Sequence, residues 1–184
     1  MEIPKNALCK YKGIIFQIYE YPQRLYDGTI APFEKIVRRP TVDIIAVVGD
    51  KIIILEQEQP GKEKYLCLPG GAIDDGENAK EAALRELLEE TGYSSDAIQL
   101  IHEEKGGAKF YFHQYVFVAK NCKKIGEQKL DGGEKIRVDF TDFEGFLALC
   151  RNRRFSVTRE FILEMYEALL DNKKKDKLQK KIFG

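Results

Sequence analysis

The residues best suited to chemistry crowd into one short stretch, Gly71 to Tyr93. It holds seven carboxylates and two basic residues, in a chain whose 30 basic and 30 acidic residues otherwise cancel. A helix is expected from Asn78 to Thr91, stopped by Gly92. On that helix Glu86 and Glu90 are four residues apart and Glu89 is three from Glu86, so all three project from one side. Like charges placed this way repel by roughly 0.2–0.5 kcal/mol per pair in water, and by more when partly buried. A sequence selected only for helix stability would avoid the arrangement. A hard divalent cation that prefers oxygen ligands resolves it, and Mg²⁺ is the natural counter-charge, with Mn²⁺ as a substitute.

The rest of the chain must hold that helix in place. With 184 residues, 43% hydrophobic and 33% charged, the composition suits one domain and excludes disordered, collagenous and disulfide-dense classes. Residues 13 to 21 and Pro32 to Arg38 read as strands. Val42 to Val48 and Lys51 to Glu56 flank Gly49-Asp50, a two-residue hairpin signal. Pro69-Gly70-Gly71 breaks the chain ahead of the acidic helix, whose apolar side is assigned to Ala79, Ala83, Leu84, Leu87 and Leu88. Further strands are expected over Ile98 to Glu103, Phe110 to Val118 and Ile136 to Phe140. Thr141-x-x-Glu144 reads as a capping box opening a helix to Cys150, and a last helix spans Thr158 to Leu170. These elements give one domain over residues 1–171. Residues 172–184, with six lysines, read as a solvated, frayed tail.

The spacing of the acidic segment resembles the Nudix box, G-x5-E-x7-R-E-U-x-E-E-x-G-U, where U is bulky and apolar. Gly71, Glu77, Arg85, Glu86, Leu87, Glu89, Glu90, Gly92 and Tyr93 fill every defined position. Seven identities at average residue frequencies would arise by chance with a probability of ~10⁻⁶ or less. The resemblance implies an α/β Nudix fold: an α/β/α sandwich with a mixed sheet, here with an N-terminal antiparallel strand extension over residues 13–38. It also implies hydrolysis of a nucleoside diphosphate linked to another moiety. Glu86 and Glu90 match the family's principal Mg²⁺ ligands, and Glu89 a third ligand or an outer-shell base. The Gly70 carbonyl matches a backbone ligand, and Arg85 the arginine that orients the glutamates. Glu77 matches a brace of the loop. Gly71 and Gly92 match positions where a side chain would obstruct the backbone.

Beyond the box, residues 10 to 150 resemble the ADP-ribose pyrophosphatase and nucleotide-sugar hydrolase branch. Leu130 to Ile136 resembles that branch's loop bearing a distant glutamate, so Glu134 is the candidate general base, with Glu89 or Glu127 next. Two departures concern the substrate. Ala108 and Lys109 stand where ADP-ribose enzymes usually carry a proline, and Tyr111 resembles a tyrosine of diadenosine polyphosphate hydrolases. The branch's Q-[YF]-R reads Gln57-Glu58-Gln59 here. ADP-ribose or a related nucleotide sugar is the expected substrate. A dinucleoside polyphosphate or nucleoside triphosphate is the alternative, and a non-catalytic nucleotide-binding module the remote third. Phe16 and Tyr19 are candidates to stack on a base, and Arg38 and Arg39 to contact a phosphate.

No apolar run spans a bilayer and the balanced charge gives no field for nucleic acid, so neither membrane nor specific nucleic acid is an expected partner. Cys9, Cys67, Cys122 and Cys150 form no Cys-x-x-Cys pair and read as reduced thiols of a cytoplasmic protein. Bulky residues on both faces of the 14 to 19 strand call for a cover, and a homodimer supplies it economically. The resemblance points the same way, since enzymes of that branch are commonly dimers through their N-terminal strands.

Overall fold

The computed structural model describes residues 3–107 and 109–184, so Ala108 lies outside it. In chain order the first elements are β1 (Leu8–Lys12), β2 (Phe16–Arg24), β3 (Ile30–Arg38), β4 (Thr41–Val48), β5 (Lys51–Gln59), β6 (Lys62–Cys67) and β7 (Gly70–Ala72). Helix α1 (Ala79–Thr91) follows, then β8 (Tyr93–Ser94), β9 (Ala97–Lys105), β10 (Phe110–Tyr111), β11 (His113–Lys120), β12 (Lys123–Lys124) and β13 (Lys135–Thr141). Helix α2 (Phe143–Ala148), a 3-10 turn (Leu149–Arg151), β14 (Phe155–Ser156), α3 (Arg159–Leu170) and α4 (Asn172–Phe183) complete the chain. The residues divide into two compact units: Met1–Pro40 with Glu104–Gln114, and Thr41–Glu103 with Tyr115–Gly184.

In the smaller unit β1, β2 and β3 form an antiparallel meander, and β10 adds to β3 in parallel. The expected strand over 13 to 21 is displaced to Phe16–Arg24, because Gly13 turns the chain by donating to the Phe16 carbonyl (2.9 Å). Strand β1, ahead of it, carries no sequence signal strong enough to have been read. The expected strand Phe110 to Val118 is two strands, β10 and β11, separated at Phe112. Apolar side chains stand exposed across this unit, with Leu8, Ile14 and Ile30 at 65%, 89% and 72%.

The larger unit is built on a mixed sheet in the order β14-β6-β5-β4-β11-β9, with β13 also on β5 and β7 on β4. Alternation along the strands loads both faces. Ile45, Val47, Ile52 and Ile54 pack with Phe146, Phe161, Met165 and Leu178, beneath α2, α3 and α4. Val42, Ile44, Ile53 and Leu55 pack with Ala82, Ala83 and Leu87 of α1. Helices therefore cover both faces, the expected α/β/α layering. The hairpin at Gly49-Asp50 pairs Val48 with Lys51, and Gly49 takes φ 62°, as a two-residue turn requires.

Three local readings change. The N-cap of α2 is Asp142, whose side chain accepts from the Gly145 N–H (2.8 Å), because Thr141 is still paired with Ile52 in the sheet. Helix α1 buries Ala82 as well as Ala83 and Leu87, while Leu84 and Leu88 are only half-buried. Residues 172–183 are a helix rather than a frayed tail. Asp171 caps it, Leu178 and Ile182 are buried, and Lys174, Lys175 and Lys181 pair with Glu167, Glu144 and Glu164. Its apolar residues are only three, Leu178, Ile182 and Phe183, which is too sparse a pattern to stand out among lysines.

Leu178→Ala should therefore cost about 2–5 kcal/mol, the range for a leucine truncated in a packed core. At roughly 2–4 °C per kcal/mol for this chain length, thermal unfolding should show a clear fall in Tm. An unchanged Tm would mean that α4 is not part of the core.

Candidate functional site

The acidic helix begins with a complete capping box. Asn78 accepts from the N–H groups of Lys80 and Glu81 (3.0 Å each), and Glu81 reaches back to the Asn78 N–H. It ends at Gly92 with φ 74°, where a Cβ would collide with the Gly126 carbonyl. The segment after β12 closes that end. Ile125 N–H donates to the Gly92 carbonyl, Lys129 N–H to that of Glu89 (2.8 Å), and the Gln128 side chain to those of Glu90 (2.6 Å) and Ile136 (3.3 Å). Terminal helix carbonyls that would otherwise lack donors are thus satisfied by the loop that leads to Glu134.

Arg85 organises the glutamates. Its five N–H donors each find an acceptor. Nε and Nη2 grip Glu77 in a fork (3.0 Å each), Nη2 also reaches the Ala72 carbonyl, and Nη1 bridges Glu86 (2.9 Å) and Glu89 (3.0 Å). Glu77 in turn accepts from the Asp74 N–H (3.1 Å), so it ties the loop before the helix to the arginine. Its pKa is lowered chiefly by the Arg85 hydrogen bonds, and that of Arg85 is raised chiefly by Glu77. Fork geometry of this kind is short and directional, unlike a solvated surface pair.

Glu86 and Glu90 are in a different state. Ala83, Leu87 and Glu90 share the stripe of α1 that faces the sheet, so Glu90 is buried, 4% exposed. Its Oε2 accepts from the Gly70 N–H (2.7 Å). Desolvation, with Glu86, Glu134 and Asp43 nearby, still pushes its pKa up to about 9. Glu86 is raised too, mainly by burial, with Arg85 opposing. Its carboxylate lies in the space a Cβ on Gly71 would fill, and a Cβ on Gly70 would strike the Val42 carbonyl. Both glycines are therefore required by close approach. Two desolvated carboxylates with too few hydrogen-bond donors, and an all-oxygen donor set, fit a hard divalent cation. Glu86 and Glu90 are the side chains that could hold one.

Glu134 enters from the turn before β13. Its Oε1 accepts from the side-chain amides of Gln57 (3.0 Å) and Gln59 (3.1 Å) on β5. Gln57 is buried, and its own Oε1 accepts from the Tyr65 hydroxyl (2.6 Å) and the Cys67 thiol (3.4 Å) on β6. Burial pushes the Tyr65 and Cys67 pKa values up, so both stay protonated donors. A cavity of about 340 Å³ beside Glu134 is bounded by Gln59, Lys62, Gly132, Gly133 and Lys135. Sequence reasoning noted Gln57-Glu58-Gln59 only as a departure from a motif. The available signal was its period of two, which puts both glutamines on one side of a strand.

Glu86, Glu89, Glu90, Arg85, Glu77, Gly70, Gly71, Gly92 and Glu134 all lie in the larger unit. Phe16, Tyr19, Arg38 and Arg39 lie in the smaller one. There Phe16 packs against Phe110 (6.3 Å between centroids), the Tyr19 hydroxyl donates to Gln17 (2.7 Å), and the Arg39 N–H donates to the Ile15 carbonyl. Glu127 is exposed and pairs with Lys124 (3.5 Å).

A sheet sandwiched by helices, with a loop and helix presenting an arginine-braced set of glutamates, is the arrangement of a Nudix pyrophosphohydrolase. The NUDIX domain model matches residues 37–161, and the chain belongs to the Nudix family. It is 29% identical over 149 residues to the ADP-ribose pyrophosphatase of Bacillus subtilis (strain 168), covering 78% of this chain and 80% of that protein. It is 32% identical over 146 residues to the methanol dehydrogenase activator of Bacillus methanolicus, covering 73% and 78%. A solved ADP compounds hydrolase shares the fold with a TM-score of 0.72 at 20% identity, over 92% of this chain and 94% of that one.

The buried Glu90 makes the metal-free protein sensitive to pH. The unfolded chain releases this proton near 4.5 and the folded chain only near 9, so stability present at low pH is lost as pH rises between those values. Glu90→Gln, which cannot ionise, should raise the metal-free Tm at pH 8 by about 10 °C or more and leave it nearly unchanged at pH 4. Scanning calorimetry of both proteins in chelator checks this. Equal Tm values at pH 8 would show that Glu90 ionises without cost.

Proposed function

We propose that this protein catalyses Mg²⁺-dependent hydrolysis of the pyrophosphate bond of a nucleoside diphosphate derivative, with ADP-ribose or a related nucleotide sugar as substrate. The reading is carried by one observation: a complete box in which Arg85 aligns Glu77, Glu86 and Glu89 while Glu90 stays desolvated beside them. The similarity to a bacterial ADP-ribose pyrophosphatase over most of both chains supports the substrate class.

The chain's own residues have separable tasks. Glu86 and Glu90 would hold the metal, with the Gly70 carbonyl as a backbone ligand. A bound Mg²⁺ supplies neutralisation of phosphate charge and a more acidic water. Arg85 keeps Glu86 and Glu89 from rotating away. Glu134 is the general base. As the water oxygen bonds to phosphorus, its proton passes to the Glu134 carboxylate, and the bridging P–O bond breaks with its electron pair on the departing phosphate. The protein works in the cytoplasm as a homodimer, joined through the exposed apolar side chains of residues 8 to 36, among them Leu8, Ile14 and Ile30. Phe16 and Tyr19 stack on the base, and Arg38 and Arg39 contact a phosphate.

The deciding experiment is a Mg²⁺ assay over ADP-ribose, UDP- and GDP-sugars, diadenosine polyphosphates and nucleoside triphosphates, with products identified by mass. ADP-ribose or a nucleotide sugar should be cleaved with the highest kcat/KM, and a preference for either other class overturns the assignment. Glu86→Gln and Glu90→Gln should each lower kcat by about 10² or more at saturating Mg²⁺, and a near-wild-type rate in either would remove it from the metal site. Glu134→Gln should lower kcat by roughly 10²–10⁴, the usual worth of a general base, with Mg²⁺ affinity unchanged. Light scattering at micromolar concentration should give the mass of a dimer. A monomer mass would leave the apolar face of the first strands without the proposed cover.

A further inference from the structure

We infer that Gln57 and Gln59 are positioning residues that clamp Glu134 as a proton acceptor, with Tyr65 setting the sense of the clamp. The inference rests on the reading of Glu134 as the base and assigns what makes it one. A carboxylate on the turn after Gly132-Gly133 would ordinarily sample many rotamers, because glycines leave the backbone loose. Here the side-chain amides of two residues of β5 converge on its Oε1 at 3.0 and 3.1 Å. Oε2 is then the oxygen that takes the proton from water.

The clamp would fail if the Gln57 amide turned over, since its carbonyl would then face a carboxylate. Tyr65 prevents this. Its hydroxyl donates to Gln57 Oε1 at 2.6 Å and the Cys67 thiol reaches the same oxygen at 3.4 Å, so turning the amide over would give up both bonds as well as set its carbonyl against Glu134. Register places Tyr65 opposite Gln57 on β6 and Ile136, two residues beyond Glu134, opposite Gln57 on β13. Gln57 is therefore fixed by strands on both sides, and the carboxylate on the turn is held by it.

A double-mutant cycle in the full-length protein tests this. Gln57→Leu and Gln59→Leu should each lower kcat by roughly tenfold with KM changed by less than about twofold. In a Glu134→Gln background, neither substitution should lower kcat further. Gln59 is only half-buried, so Gln59→Leu carries the test if Gln57→Leu unfolds. Full additivity of the losses would overturn the clamp while leaving Glu134 as the base. A wild-type kcat for Glu134→Gln itself would instead overturn the assignment of the base. A rise in KM alone, with kcat unchanged, would also overturn the clamp and make the glutamines substrate contacts.

Discussion

The site depends on one guanidinium. Five glutamates and aspartates stand close together on a loop and a single helical turn, and without Arg85 their mutual repulsion would spread them apart. By using all five of its donors, Arg85 joins the loop (through Glu77 and the Ala72 carbonyl) to the helix (through Glu86 and Glu89). A lysine could neutralise the same charge, but it could not fork onto Glu77 and bridge two further carboxylates from one plane. The glycines follow from this constraint: Gly71 is small because the Glu86 carboxylate, drawn in beside it, needs the room.

Arg85 does not reach Glu90, and that separation divides the box by electrostatic character. Glu77, at the arginine, is held well ionised, whereas Glu90 is held close to neutral at physiological pH by burial. The same helix thus presents stabilised charge at its outer edge and frustrated charge at its inner edge. Glu90, which has no guanidinium beside it, is the carboxylate of the box that would gain most from a cation.

Much of this was legible in the sequence, for identifiable reasons. The box could be read because every one of its roles is local: caps, i,i+4 spacing and close-approach glycines all fall within 23 residues. The hairpin at Gly49-Asp50 and the boundaries of α1 were equally local. What escaped was non-local. Glu90 looks like part of an exposed acidic face until the sheet beneath α1 is known. Gln57 and Glu134 are 77 residues apart, and only the pairing of β5 with β13 joins them. Helix α4 was missed because six lysines mask the two side chains, Leu178 and Ile182, that anchor it. Strand β1 has no partner within its own signal and exists because β2 receives it.

The four cysteines acquire a practical meaning from where they sit. Cys67, Cys122 and Cys150 are buried, with their thiols held protonated by desolvation, while Cys9 is exposed on the first strand. Alkylating reagents act on accessible thiolates. A maleimide dye should therefore attach to the native chain at a single place, far along the sequence from the glutamates, without any cysteine having to be removed. The molecule carries its own labelling handle on the very strands whose association state is in question, so protection of that thiol in the unaltered protein reports whether those strands are covered.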